Sequence, residues 1–223
     1  MTPMATFKNH PVLKSVRQAL GRSATPTEIP APPELDEPLI RLVHSDFGLP
    51  ELFAARAREN KMRVTFVSPE DAAPMLTARL KELGIASAAY PVSKLIDQLE
   101  ILPALAAAGV SLLPWGPAAL NPTYDVDAGI TDAHAAVAET GSVVIRPTPS
   151  HGRALSLVPN YHFILLEPKN FLPDLVDLFQ KLPAENDPSG LILITGPSKT
   201  ADIEMNLVTG VHGPGHIEIF ILK

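Results

Sequence analysis

Short runs rich in β-branched residues alternate along this chain with stretches whose apolar residues recur every three or four positions, and that alternation restricts the fold class. Met62 to Val67 reads as a strand. Ser68-Pro69-Glu70-Asp71 follows at once, supplying a hydroxyl cap, a proline at the first helical position and an acid three residues past the cap. Leu76, Leu80 and Leu83 line one face of that helix, Gly84 ends it, and a weak strand follows near Ala88 to Val92. Ser93 caps the next predicted helix, which carries Leu95, Ile96, Leu99 and Leu102 at helical spacing and stops at Gly109 before a strand over Val110 to Leu113. Ser142 to Ile145, Tyr161 to Leu166 and Leu191 to Thr195 read as further strands. His216 to Leu222 alternates Ile217, Ile219 and Ile221 and reads as a half-exposed strand closing the sheet. Helices are predicted over Leu49 to Asn60, over Phe171 to Leu182 with Pro173 in the first turn, and from Ser198 to Met205, while Leu39 to Val43 fits either a strand or a helical turn. Such alternation implies α/β architecture: a doubly wound, mostly parallel sheet with helices on both faces.

The domain plan follows from where this pattern begins. Residues 1–38 form an N-terminal helix, with Val12, Leu13, Val16 and Leu20 as its stripe and Gly21 as its stop, and then a proline-rich arm containing Pro26, Pro30, Pro32, Pro33 and Pro38. The arm reads as a flexible leader or as a partner-docking segment. Residues 39–223 form a single α/β domain, since nothing in the middle of the 223-residue chain resembles a linker. A hydrophobic content of 46% supports a sizeable core. A net charge of −6 without a basic cluster argues against nucleic acid as a ligand. The absence of cysteine excludes disulfides, thiolate nucleophiles and cysteine-ligated zinc or iron–sulfur centres from this chain. No apolar stretch is long enough for a membrane span and no secretory leader is visible, so a cytoplasmic protein is expected.

Three constellations can carry chemistry. In the first, Glu139, Thr140, Gly141 and Ser142 precede and open a buried strand, and Arg146, Ser150, His151 and Arg153 follow on a loop. Glu139 is the candidate catalytic carboxylate, as nucleophile or general base, and the arginines suit a small carboxylate ligand. The second, Ile194 to Glu204, places Gly196, Pro197 and Ser198 between a strand and a predicted helix, where free N–H groups can hold an anion. It is not a P-loop, because Pro197 and Ser198 separate Gly196 from Lys199. Asp202 and Glu204, in the first helical turns, would cap the helix and repel an anion. The third, Gly210 to His216, puts His212 and His216 in a glycine-proline turn; two histidines without a third ligand make a poor metal site, and His212 is expected to donate to a backbone carbonyl or to line the cleft. His134 and His162 read as ordinary packing or surface residues. Neither G-x-S-x-G nor G-x-G-x-x-G is present.

Taken in order, GIT…AVAETGSVVI (Gly129 to Ile145), RALSLVPNYH (Arg153 to His162) and ITGPSKTADIEMNLVTGVHGP (Ile194 to Pro214) resemble the LUD domain family, to which lactate utilization protein C belongs. The resemblance spans most of residues 49–223. The chain departs from the family pattern at Asp132 and His134, where a small residue and an acidic one are more usual. The resemblance implies a fold similar to the sugar-phosphate isomerases, CoA transferases and formyltetrahydrofolate cyclo-ligases. It further implies a system that oxidises L-lactate to pyruvate and whose other subunits carry iron–sulfur clusters, with no cofactor in this chain. The motif falls on Glu139, Thr140, Gly141, Ser142, Ser156, Pro159, Gly196, Pro197, Ser198, Asp202, Glu204, His212 and Gly213. A substrate-binding or assembly subunit is the first expectation. A free-standing CoA transferase-like or sugar-phosphate isomerase-like enzyme using Glu139 is the alternative. Glu139, Ser198 and His212 are expected to border one hollow at a rim of the sheet.

Overall fold

A computed structural model describes residues 11–22, 41–43, 48–116, 118–181, 190–201, 207–209 and 213–223. The chain divides into two compact units, Met1–Ile40 and Arg41–Lys223. The first unit contains helix α1 (Pro11–Ala19), none of whose residues is buried and whose apolar side chains Val12, Val16 and Leu20 face solvent.

In the second unit, α2 (Leu49–Glu59) precedes β1 (Arg63–Val67), α3 (Pro69–Glu82) and β2 (Ser87–Tyr90). Ser68 caps α3 as its sequence requires, its Oγ accepting from the Asp71 N–H at 3.2 Å. Ser93 does the same for α4 (Lys94–Gln98), accepting from Ile96 N–H at 3.3 Å. The single helix predicted up to Gly109 is two: Glu100 takes a left-handed conformation (φ 51°) and the chain restarts as α5 (Ile101–Ala107). β3 (Ser111–Pro114), β4 (Ala128–Asp132), β7 (Tyr161–Leu166) and β12 (His216–Leu222) complete a six-stranded, wholly parallel sheet in the order β1-β12-β7-β4-β2-β3. β12 therefore does not close the sheet as a half-exposed strand. It lies between β1 and β7 with every residue but His216 buried.

One face of this sheet is covered by α3, α4 and α5, through Leu76, Leu80, Ile96, Ile101 and Leu105 against Ile130, Phe163, Leu165 and Phe220. An ion pair closes part of that face, with the Arg79 guanidinium on Glu218 at 2.7 to 2.9 Å. The other face carries α2 and a second sheet of order β8-β5-β6-β9, built from β5 (Ala135–Val137), β6 (Ser142–Ile145), β8 (Phe171–Leu172) and β9 (Ile192–Ile194). Phe53 of α2 meets Phe171 of β8 edge to face at 5.4 Å. The far side of the second sheet packs on α7 (Leu175–Lys181) through Val137, Val144, Leu172 and Leu178.

Two predicted helices are corrected here. Phe171 and Leu172 pair with Ala136 and Val137 as a strand, so helix α7 begins only at Leu175; Leu182 lies outside the described residues. The segment after Ser198 is not a helix: β10 (Lys199–Ala201) pairs antiparallel with β11 (Leu207–Thr209). Pairing with distant residues overrides local spacing in both places. Residues 41–43 form neither strand nor helix.

Crossovers leave the sheet in two directions. β2 leads through α4 and α5 to β3 on one side, whereas β4 leads through β5, β6 and α6 (Ala154–Leu157) to β7 on the other side and over the opposite face. Uniform crossover handedness demands that opposite directions use opposite faces. The loops leaving the C-terminal ends of β2 and β4 thus diverge, making the switch point at which parallel α/β sheets open a crevice.

Candidate functional site

The Glu139 motif is the turn of a hairpin, Ala138 to Gly141, between β5 and β6. Gly141 has φ 67°, and a Cβ there would stand 2.5 Å from the Ala57 nitrogen at the end of α2, so only glycine fits. Gly196 packs on the same helix end, where a Cβ would meet the Asn60 carbonyl oxygen at 2.6 Å. Asn60 Nδ2 donates to the Thr140 carbonyl at 2.9 Å and ties the turn to α2. Thr140 Oγ1, Ser142 Oγ and Thr195 Oγ1 form a chain of hydroxyls with 2.7 Å between neighbours.

Glu139 points away from that chain chemically. Its N–H donates to the Pro173 carbonyl at 2.9 Å, and its carboxyl is held above the ordinary range by burial and then by the charge of Asp174. Asp174 is itself buried and receives Arg41 Nη1 at 3.2 Å and the Asp177 N–H at 3.0 Å, while Arg41 also forks onto Asp177. Beside these acids lies a hollow of about 700 Å³ lined by Arg41, Val43, Leu49, Pro173, Asp177 and Lys181. Burial and the neighbouring charge of Asp174 both favour the protonated form of this carboxyl.

The other predicted residues gather elsewhere. Ser198 N–H donates to the Pro214 carbonyl at 2.8 Å, so it is committed within the protein, and Lys199–Ala201 continue as strand β10 instead of the helical first turn that the predicted anion loop requires. Gly213 abuts Ser198, with a Cβ position 3.3 Å from Ser198 Cβ and 3.8 Å from the Leu157 carbonyl oxygen of α6. Ser156, on the same helix, is buried and donates to the Arg153 carbonyl at 3.1 Å; the Arg153 guanidinium lies beside Gly190. The contacts thus form two groups. Glu139, Thr140, Gly141, Ser142 and Gly196 with its neighbour Pro197 surround the hairpin turn and the end of α2, whereas Arg153, Ser156, Ser198 and Gly213 surround α6. Asp202, Glu204 and His212 lie outside the described residues.

A third cluster lies at and below the C-terminal end of β4. His162, in the apolar run of β7, is fully buried and shares a 2.8 Å hydrogen bond between its Nε2 and Thr131 Oγ1. Burial, followed by the proximity of His151, pushes its pKa down to about 3, so the ring is neutral. His151 Nδ1 stands 3.8 Å from Asp132 Oδ1, and burial lowers this imidazole's pKa while Asp132 opposes the shift. Asp132 Oδ1, His151 Nε2 and His162 Nδ1 are buried without a hydrogen bond. His162 reads from the sequence as ordinary packing, although a histidine inside a strand that is otherwise mostly apolar must find a polar partner or remain unsatisfied. Among the described residues no group of three or more histidine, aspartate or glutamate side chains is placed to hold a metal.

A parallel sheet of this order, with diverging crossovers and a carboxylate hairpin packed against one face, defines an α/β protein of the LUD type. The chain belongs to the LUD domain family, whose model matches residues 50–222. It is 32% identical over 161 residues to the uncharacterized protein YkgG of Escherichia coli, covering 68% of this chain and 69% of that one. It is 41% identical over 93 residues to a lactate utilization protein C of Halalkalibacterium halodurans, covering 40% of each. The chain spans between 39% and 48% of the length of six relatives of that name. The crystal structure of a DUF162 family protein from Deinococcus radiodurans shares the fold, with TM-score 0.56 and 22% identity over 81% of this chain and 99% of that one.

Proposed function

We propose that this chain acts in lactate utilization, as the substrate-binding or assembly subunit of a system that oxidises L-lactate to pyruvate. The observation that carries the reading is the family match together with relatives named lactate utilization protein C at 31% to 41% identity. A chain without cysteine cannot ligate an iron–sulfur cluster through sulfur, which is consistent with the division of labour that the family resemblance implies, in which partner subunits carry the clusters. Among the described residues no helix is long and apolar enough to cross a membrane. The test is reconstitution. The full chain is purified with iron–sulfur partners from the same host, and lactate-dependent reduction of an electron acceptor is followed. Activity that requires this chain supports the subunit reading; full activity without it refutes it.

A second reading is favoured by one observation, the raised carboxyl of Glu139 beside Asp174. On that reading the chain is an enzyme by itself, resembling CoA transferases or sugar-phosphate isomerases, with Glu139 as nucleophile or base. Turnover by the isolated chain that disappears in Glu139→Gln supports it. Inactivity alone, with activity restored by partners, refutes it.

A further inference from the structure

The switch point between β2 and β4 holds more unsatisfied polar chemistry than packing requires. Segment Thr148–His151 spans the gap, with Val92 N–H donating to the Ser150 carbonyl at 3.2 Å. Trp115, just past β3, seals the outer side: its Nε1–H donates to the Pro149 carbonyl at 3.2 Å, and its indole occupies the space a side chain at Gly152 would need. This arrangement sets His151, only 9% exposed, over Asp132 at the end of β4, and His162, at 1% exposure, lies close enough to His151 for that ring to lower its pKa. A buried polar atom left without a partner costs about 1 to 3 kcal/mol, and three of them meet here. Such groups in native proteins call for an explanation, and their place in the fold is where open parallel sheets take ligands.

The ring nitrogens have assignable roles. Asp132 favours the proton on His151 Nδ1, and 3.8 Å is the loose geometry that unliganded sites of this kind show before closing. His151 Nε2 then offers a lone pair. If Thr131 donates to His162 Nε2, the proton of the neutral His162 ring sits on Nδ1, an unpaired donor. His151 Nε2 as acceptor and His162 Nδ1 as donor together match a hydroxyl, which both gives and receives.

We propose that the crevice at the C-terminal ends of β2 and β4 binds a small hydroxy acid, whose hydroxyl donates to His151 Nε2, with Asp132 positioning the ring. The hydroxy-acid class rests on the lactate reading above; the site itself rests on the geometry. It is separate from the Glu139 turn, so substitutions in the two places have independent effects.

The full chain labelled with ¹⁵N-histidine tests this by long-range ¹H–¹⁵N spectra during titration with L-lactate and glycolate, and with propionate and acetate as the matched acids lacking the hydroxyl. The hydroxy acids are expected to shift His151 Nε2 at concentrations about tenfold below those their deoxy counterparts need. His151→Gln removes the response while the His162 signals report an intact fold. Asp132→Asn moves the His151 proton between ring nitrogens and weakens binding about tenfold, a change of tautomer that a purely structural role would not produce. Equal responses to both classes of acid, no response, or a response that survives His151→Gln overturns the site and leaves an internal water as its occupant. If reconstituted lactate oxidation proceeds unchanged in His151→Gln, this site fails while the subunit reading stands. Hydroxy-acid binding by a chain that no partner requires gives the reverse.

Discussion

Lowering the pH from 7 to 4.5 should unfold this protein through His162 more than through any surface group, and the effect can be isolated. The imidazole is neutral in the folded chain, with a pKa of about 3, and titrates at the ordinary 6.5 once exposed. A folded value depressed below the unfolded one means that the unfolded chain binds the extra proton. Stability is therefore intact above 6.5 and is lost as the pH falls toward 3. Linkage gives a loss of about 2.5 kcal/mol between pH 7 and 4.5. That figure hardly depends on the folded pKa, provided it stays below about 4, because the folded ring binds almost no proton at pH 4.5. The matched perturbation is Thr131→Val with His162→Leu, which replaces both ends of the 2.8 Å hydrogen bond by apolar groups and avoids an orphaned partner. Urea unfolding at several pH values, followed by circular dichroism, supplies the stabilities. The double variant should lose about 2.5 kcal/mol less than the parent over this interval. Parallel losses in the two proteins would refute the argument that His162 is held neutral in the core.

Gly141→Ala should cost about 2 kcal/mol or more, combining left-handed strain with a collision at α2, whereas Gly84→Ala, at nearly the same φ but with open space around it, should cost about 1 kcal/mol. Equal losses on thermal unfolding would remove the packing argument for the hairpin turn. Gly152→Ala should displace the sole tryptophan, Trp115, whose ring lies 1.9 Å from the added Cβ position; an unchanged fluorescence maximum and intensity would contradict the seal. Glu139→Gln should stabilise the protein at pH 7, because a carboxyl with a raised folded pKa disfavours folding once ionised. The gain should vanish below the ordinary carboxylate pKa, and the difference between denaturation midpoints at pH 7 and pH 4 reports it.

The main sheet was legible because its strands speak locally. Tyr161 to Leu166 is apolar but for His162 and is bounded by Asn160 and Glu167, as strands buried on both faces tend to be, and its limits match the observed β7. The caps at Ser68 and Ser93 were readable for the same reason, since a hydroxyl and the N–H it accepts lie three residues apart. What could not be read was long-range pairing. Phe171 and Leu172 become a strand only because Ala136 and Val137 lie alongside, and Lys199 to Ala201, though its partner Leu207 to Thr209 is close in sequence, carries no apolar alternation that marks it as half of a ribbon. The candidate site divided in the same way. Glycines 141 and 196 stood out by type and do converge on the C-terminal end of α2, at Arg56 and Ala57 and at Asn60 respectively, whereas the Asp132, His151 and His162 cluster joins residues whose relation depends on how β4 and β7 pair.

The placement of β12 bears on how this molecule can be made. Arg63 finds its sheet neighbour at Glu218, so β1, translated early, waits for almost the whole domain to emerge before it gains a hydrogen-bonded companion. Until then its exposed edge is a hazard for mispairing with other nascent chains. Truncations short of His216 should therefore leave β1 unpaired in a chaperone-dependent intermediate, and pairing of β1 should wait until β12 has been made.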